Sequence, residues 1–324
     1  MKMLVVSVIS LISSFPLLGG ASPADRQLLI TAKQRANLSH DQTGPFQLDV
    51  DFVAQINTPV KGHLTLKWQA KDRWWREIIA NDFGQIDIRN GDSLYTTRNL
   101  NFTPRRIEEL ISLLQFGEGS EKLTAKKPRQ SARDGIEILC FSVEGEDKGR
   151  TDEVCLNSAS HDILSDEWRT FPDELRIEQY ADYFDFGEHR YPRSLELRVN
   201  SNSRITANVK SLRTAAFDQT LFVASKRAIV RRQCDDMKFA KAINAPNPEY
   251  PTSAREKKLR GDTTVAMTVL TDGSVTDIRL IGSTAQSMDD ATLQTLKKWK
   301  FKPAMCGADP IVSDFDVVVS FRLH

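Results

Sequence analysis

Four cysteines are the residues in this sequence whose chemistry can be anticipated first: Cys140, Cys155, Cys234 and Cys306. Their spacing lacks the tight C-x-x-C pattern of a zinc site, and an even number favours two disulfides if the chain is exported. Cys140 lies in an apolar run of strand length, and Cys155 lies in a second run after a turn at 146–149. If the two runs form a hairpin, these two cysteines face each other at a separation that suits a disulfide. Cys234 and Cys306 then pair by elimination.

The histidines and the acidic pairs give little indication of catalysis. The five histidines are scattered, and none has the spacing of a metal site, a catalytic triad or a nucleophile elbow. Asp289-Asp290 fits the capping box of a helix that begins near Ser287, and Asp235-Asp236 fits a solvated linker. Neither G-x-x-x-x-G-K nor G-x-G-x-x-G occurs. We therefore expect no enzyme activity, no metal and no cofactor.

The composition is that of an ordinary globular protein. The 324 residues include 44 Lys and Arg against 43 Asp and Glu, which gives a net charge of +1. This length allows about two domains. A net charge so close to zero gives no electrostatic footprint for nucleic acid.

The amino terminus predicts export. Met1-Lys2 supplies a positive charge, 3–18 is mostly apolar, and small residues follow as far as Ala21. This order is typical of a secretory signal peptide over residues 1–21. The alternative is an uncleaved membrane anchor, for which the apolar run is barely long enough.

Residues 25–225 carry the pattern of an antiparallel sheet. From Phe46 to Ile56 the even positions are apolar, and this period of two is the signal of a half-buried strand. About ten such runs follow one another, together with an amphipathic helix after Thr103-Pro104.

The order of these strands, the run 88–95 and the segment 183–187 leading to Tyr191-Pro192 resemble the LolA/LolB-like lipoprotein-carrier fold. The resemblance implies an open, curved antiparallel sheet, or half-barrel, wrapped over helices, with a concave apolar face that holds acyl chains. The simpler interpretation, which we favour, is that the aromatic residues of this face form the core. The side chains concerned are Phe46, Phe52, Trp68, Trp74, Trp75 and Phe102.

Residues 246–324 predict a second, smaller domain. A polar helix over 252–259, a hairpin turning at Asp272-Gly273, a helix that ends before Pro303 and a strand over 314–323 follow in that order. The intervening linker, 226–245, contains basic residues that are most simply solvated but that could contact anionic lipid or a receptor. They are Lys226, Arg227, Arg231 and Arg232.

The motifs of this tail resemble the TonB C-terminal domain. They include Tyr250-Pro251, Asp272-Gly273 and the run from Trp299 to Ala304. The resemblance implies an α+β domain with a three-stranded antiparallel sheet. It also implies that the last strand takes up the TonB box, a short extended peptide of an outer-membrane TonB-dependent receptor, as an added strand.

This mode of binding uses the unpaired N–H and C=O groups of an edge strand. The alternative is that the edge is paired with another copy or with the first domain. The peptide site implied by the resemblance comprises Asn247, Tyr250, Pro251, Asp314, Phe315, Asp316, Val317, Val318, Val319, Ser320 and Phe321.

Two features of the TonB family have no counterpart that we recognise in the sequence. There is no clear motor-coupling helix at the amino terminus and no long spacer rich in Pro and Lys, so we do not expect coupling to inner-membrane motor proteins. We therefore predict a periplasmic TonB-like adaptor linked to energy-dependent transport across the outer membrane. The alternatives are a lipid or lipoprotein carrier with a TonB-like tail and, for location, a form anchored to the inner membrane.

Overall fold

The computed structural model describes most of the chain beyond residue 19. The predicted signal peptide lies outside the described residues except for its last two positions, and the turn at 146–149 lies outside them as well. Within the described ranges, no helix has the length and the apolar content needed to cross a membrane. These ranges are 20–39, 43–55, 58–100, 102–116, 124–133, 135–144, 151–170, 174–232, 234, 236–283 and 285–323.

The first domain is a large antiparallel sheet with two helices. Its helices are α1 (Pro23–Ala36) and α2 (Arg105–Leu114). Its strands are β1 (Phe46–Gln55), β2 (Pro59–Ala70), β3 (Arg73–Ala80), β4 (Phe83–Asn90), β5 (Ser93–Arg98), β6 (Arg129–Arg133), β7 (Ile136–Glu144), β8 (Thr151–Asn157), β9 (Ile163–Thr170), β10 (Glu174–Phe186), β11 (His189–Val199), β12 (Asn202–Thr214) and β13 (Ile229–Arg232).

The strands of this sheet lie in the order β13-β5-β4-β3-β2-β1-β12-β11-β10-β9-β8-β7-β6. Most neighbours follow each other in the chain, which is the meander that the sequence predicted. β13 and β6 end the row on its two sides, so the sheet is curved but not closed. The prediction of a large, open antiparallel sheet is therefore confirmed.

The core of the first domain lies between the two helices and one face of the sheet. In α2, Ile107, Leu110 and Leu113 recur at a spacing of three residues and are all buried, which is the apolar stripe of an amphipathic helix. α1 starts with a capping box between Ser22 and Asp25 and packs against β9 and β11. Both helices thus fill the concave side of the sheet with apolar side chains.

The tail domain begins within the predicted linker. Residues 226–245 include β13 and two further strands, β14 (Met237–Lys238) and β15 (Lys241–Asn244), so this stretch is paired chain rather than an extended spacer. The remaining elements are α3 (Thr252–Glu256), β16 (Gly261–Val269), β17 (Val275–Gly282), α4 (Gln286–Leu296), β18 (Lys300–Lys302), β19 (Ala304–Cys306), β20 (Asp309–Ile311) and β21 (Ser313–Phe321).

Three small sheets form in the tail. β17, β16 and β21 make the three-stranded antiparallel sheet that the resemblance implied. β14 pairs with β19, which also pairs with β20, and β15 pairs with β18. The segment that directly follows the first domain therefore pairs with strands of the tail domain.

The start of α4 differs from the predicted capping box at Ser287. The helix is capped by Ala285 without a side-chain hydrogen bond. Asp289 is buried instead, and its carboxylate accepts hydrogen bonds from the hydroxyls of Thr263, at 2.9 Å, and Ser283. The acidic residue therefore fastens α4 to β16 because two hydroxyl donors reach it from the sheet side.

Both predicted disulfides are present. Cys140 and Cys155 lie directly opposite each other in β7 and β8, with their Cα atoms 4.0 Å apart. Cys234 and Cys306 are joined across 5.9 Å between Cα atoms. The second bridge ties the chain that enters the tail domain to the end of β19.

Gly273 is expected to be essential to the packing of the tail domain. Its φ is +78°, and a Cβ there would lie 2.0 Å from the carbonyl oxygen of Phe301. Gly273→Ala should therefore cost about 2 to 5 kcal/mol, from left-handed backbone strain and from the steric clash together. Urea unfolding followed by circular dichroism measures this loss.

Gly307 is the matched control for this variant. Its φ is +61°, but a Cβ there would meet no atom within 4 Å. Gly307→Ala should therefore show only the backbone strain, about 1 to 2 kcal/mol. Equal losses in the two variants would contradict the close approach of Gly273 to β18.

Candidate functional site

β21 lies at the edge of its sheet. It pairs with β16 along its whole length, from Ser313 opposite Val269 to Phe321 opposite Gly261. Within the described residues no strand is hydrogen-bonded to its other side. Alternate backbone N–H and C=O groups on that side are therefore available to a further strand.

The side chains of β21 alternate between core and solvent. On the inner face, the Phe315 ring packs edge-to-face on Phe301 with centroids 4.8 Å apart, and Phe321 is buried. On the outer face, Asp316 is exposed and Val318 is 58% exposed. A strand added to this edge would meet a carboxylate and a branched apolar side chain two residues apart.

The other residues implied for the peptide site take different positions. Tyr250 packs edge-to-face on Phe321, with ring centroids 5.5 Å apart, and its hydroxyl donates to the carbonyl of Leu259. Pro251 is the N-cap of α3. Tyr250 thus supports the carboxyl end of β21 from the core side, while Asn247 is exposed and has no described contact with β21.

The amino end of β21 is bound to the first domain. Arg231 of β13 donates to the carboxylate of Asp314 at 3.0 Å and to the hydroxyl of Thr268 at 3.1 Å. Partial burial opposes ionisation of Asp314, but the hydrogen bond and charge of Arg231 outweigh it and hold the pKa of Asp314 below its ordinary value. The basic run interpreted as solvated therefore includes a residue that fixes the tail domain.

A deeper ion pair lies beside this contact. Arg98 of β5 pairs with Asp277 of β17, and the two side chains are only 5% and 2% exposed. Thr268 lies 3.3 Å from the same carboxylate of Asp277. Burial, together with the neighbouring cations of Arg231 and Arg279, lowers the pKa of Arg98.

A third pair joins α2 to β17. Arg279 donates to Glu108 at 2.5 Å, and burial raises the pKa of Glu108 against the opposing effect of Arg279. We call these residues together the interdomain cluster. Its members are Arg98, Glu108, Thr268, Arg231, Asp277, Arg279 and Asp314.

The aromatic residues that were weighed as lipid-cavity or core residues do not all share one face. Phe46, Trp68 and Trp74 form a row across β1, β2 and β3, and Phe46 and Trp68 are buried in the core. Trp75 follows Trp74 directly and therefore points to the other face, where Lys67 lies over its ring at 4.7 Å.

Phe52 also belongs to the core. Its ring lies across Gly62, where a Cβ would come within 2.3 Å of it. The glycine in β2 thus leaves room for an aromatic ring in the core. Phe102 is partly buried.

Comparison with known proteins finds a family match for the tail. Residues 246–323 match the family model of the Gram-negative bacterial TonB protein C-terminal, which confirms the resemblance predicted from the motifs. The tail is similar to the TonB C-terminal domain of Pseudomonas aeruginosa, solved by NMR, at 23% identity over 28% of this chain and 93% of that one, with a TM-score of 0.25. No curated protein matches the chain.

The N-terminal part has similar solved structures. One is a putative outer membrane lipoprotein-sorting protein domain from Vibrio parahaemolyticus, at 12% identity over 61% of this chain and 95% of that one, with a TM-score of 0.44. Another is a LolA superfamily protein from Nitrosomonas europaea, at 10% identity over 61% and 96%, with a TM-score of 0.43.

The buried pair of the interdomain cluster leads to a stability prediction. Asp277→Asn should cost about 3 to 5 kcal/mol, because it removes the carboxylate that pairs with the buried Arg98. Asparagine accepts the left-handed backbone at this position, where φ is +53°, so the loss reports the charge alone. Urea unfolding measures the free energy, and hydrogen exchange at Thr268 locates the change.

Asp262→Asn is the control, because Asp262 pairs with Arg322 at the surface. It should be nearly neutral. Combining Asp277→Asn with Arg98→Leu should recover part of the loss, because the buried cation is removed while position 277 keeps a residue that tolerates its left-handed backbone. A neutral Asp277→Asn variant would show that the pair does not hold the domains together.

Proposed function

We propose that the tail domain binds an extended peptide of an outer-membrane transporter by adding it as a strand along β21. The protein would act in the periplasm and take part in energy-dependent transport across the outer membrane. The open edge of β21, in a domain that matches the TonB C-terminal family, carries this proposal.

The geometry of the edge suits strand addition. β21 is nine residues long and is held straight by its full pairing with β16. Its inner face is fixed by the packing of Phe315 and Phe321, so a partner peptide does not have to order the strand before it binds. The function proposed is therefore binding, with the main-chain hydrogen bonds supplying affinity and the outer side chains supplying selectivity.

Hydrogen exchange tests the proposal on the full-length mature protein. A synthetic peptide that spans the TonB box of a transporter from the same organism should slow exchange at alternate amides of β21. Amides of β17, at the other edge of the same sheet, serve as the internal control and should not change. Unchanged β21 amides at saturating peptide would exclude binding at this edge.

Peptide N-methylation distinguishes strand addition from side-chain docking. In an added strand, alternate N–H groups point toward β21, so N-methylation at every second position should abolish binding and methylation at the intervening positions should have little effect. A uniform effect along the peptide would contradict β-augmentation.

A lipid or lipoprotein carrier is the alternative function. It needs a space for acyl chains, but Phe46, Phe52 and Trp68 are packed in the core. We therefore expect native mass spectrometry of the purified protein to give the mass of the polypeptide alone. A stoichiometric acyl-chain adduct would favour the carrier.

A further inference from the structure

The paired strands β15 and β18 expose an unusual set of side chains. Ala240 and Ala242 pack in the core of the tail domain, whereas Phe239, Lys241 and Ile243, which alternate with them along the chain, are all exposed. Phe239 is 81% exposed and Ile243 is 70% exposed. We call residues 239–244 and 300–302 the lysine ribbon.

The charges of the lysine ribbon repel one another. On β18, Phe301 is buried, so its neighbours Lys300 and Lys302 both face outward. Lys302 lies directly opposite Lys241 in the antiparallel register, and like charges in opposed positions destabilise a sheet. The ribbon itself contains no acidic residue.

The surroundings of the ribbon add to its positive charge. Lys238, Lys297 and Lys298 flank it, and the carboxylate of Asp272 near Lys300 and that of Asp236 offset only part of this charge. Six exposed lysines and two exposed apolar side chains thus lie in the ribbon or next to it in the chain, and an anionic partner would stabilise this charge.

We propose that the lysine ribbon docks on an anionic phospholipid surface. Phe239 and Ile243 would enter the boundary between headgroups and acyl chains, and the lysines would contact the headgroup phosphates. The apolar side chains project outward, as insertion into a bilayer requires, and a protein partner would need a matching pocket. Long lysine stems can follow a fluid surface of headgroups.

Docking of this kind leaves the edge of β21 free. The inner face of the ribbon meets β21 through the contact of Phe301 with Phe315, so the outward face of the ribbon points away from that core. The ribbon and the peptide edge are therefore separate surfaces of one domain, and lipid binding does not depend on the proposed peptide binding.

Vesicle co-sedimentation of the full-length mature protein tests the proposal. Vesicles that contain phosphatidylglycerol should bind at least about tenfold more tightly than vesicles of phosphatidylcholine alone, and high salt should remove the difference. Lys241→Gln combined with Lys302→Gln should weaken binding about 25-fold, since each lysine contributes about fivefold. Phe239→Ser combined with Ile243→Ser should weaken it at least about tenfold.

The matched controls are Lys257→Gln, an exposed lysine of the tail outside the ribbon, and Val223→Ser, an exposed apolar residue of the first domain. Both should bind vesicles as the unmodified protein does. No preference for phosphatidylglycerol, or equal losses in the control and ribbon variants, would overturn the proposal. A dimer that Phe239→Ser separates into monomers in sedimentation velocity would also overturn the proposal, because the ribbon would then be an interface between copies.

The ribbon variants also separate this proposal from the proposed function. All four altered side chains face outward, so circular dichroism should be unchanged and the transporter peptide should protect β21 as before. A variant that loses vesicle binding but keeps peptide protection supports the docking surface, whatever the outcome of the peptide test on the unmodified protein.

Discussion

A buried ion pair between Arg98 and Asp277 joins the first domain to the tail domain. A pair so far from water adds little net stability, since desolvation of both charges offsets their attraction, but separating the partners is costly. We infer that its effect is geometric, because the pair forms only where β5 and β17 meet. Thr268 contacts Asp277 and Asp314 alike, so the arrangement extends to the first residues of β21.

The charges at the start of β21 explain how this strand can keep an open edge. A strand with one open edge tends to pair with strands of other molecules. β21, however, carries Asp314 and Asp316 near its start. Arg231 neutralises the first from the first domain, and the second remains on the exposed face. The residual negative charge disfavours pairing with the same strand of another copy, whereas a peptide with a cation at the matching position would be favoured.

The sequence predicted elements that depend on local pattern and left open those that depend on distant partners. The strand from Phe46 followed from a period of two, and the cysteine hairpin followed from two apolar runs of strand length on either side of a turn. β14 and β15 are two and four residues long, and such short strands exist only because β19 and β18 pair with them. Arg98 and Asp277 are separated by 179 positions, so no local rule could join them. Asp289 matched a capping pattern, but its carboxylate instead accepts hydrogen bonds from Thr263 of β16 and from Ser283, which directly follows β17.

The concave face of the first domain is filled by the domain's own side chains. Leu110 and Leu113 of α2 are completely buried there, and exposing each would cost about 1.5 to 3 kcal/mol. A ligand that entered this face would have to replace both side chains and part of the aromatic row beside them. The same helix carries Glu108, which binds Arg279 of the tail. Packing α2 into the sheet therefore also positions Glu108 for its contact with β17 of the tail domain.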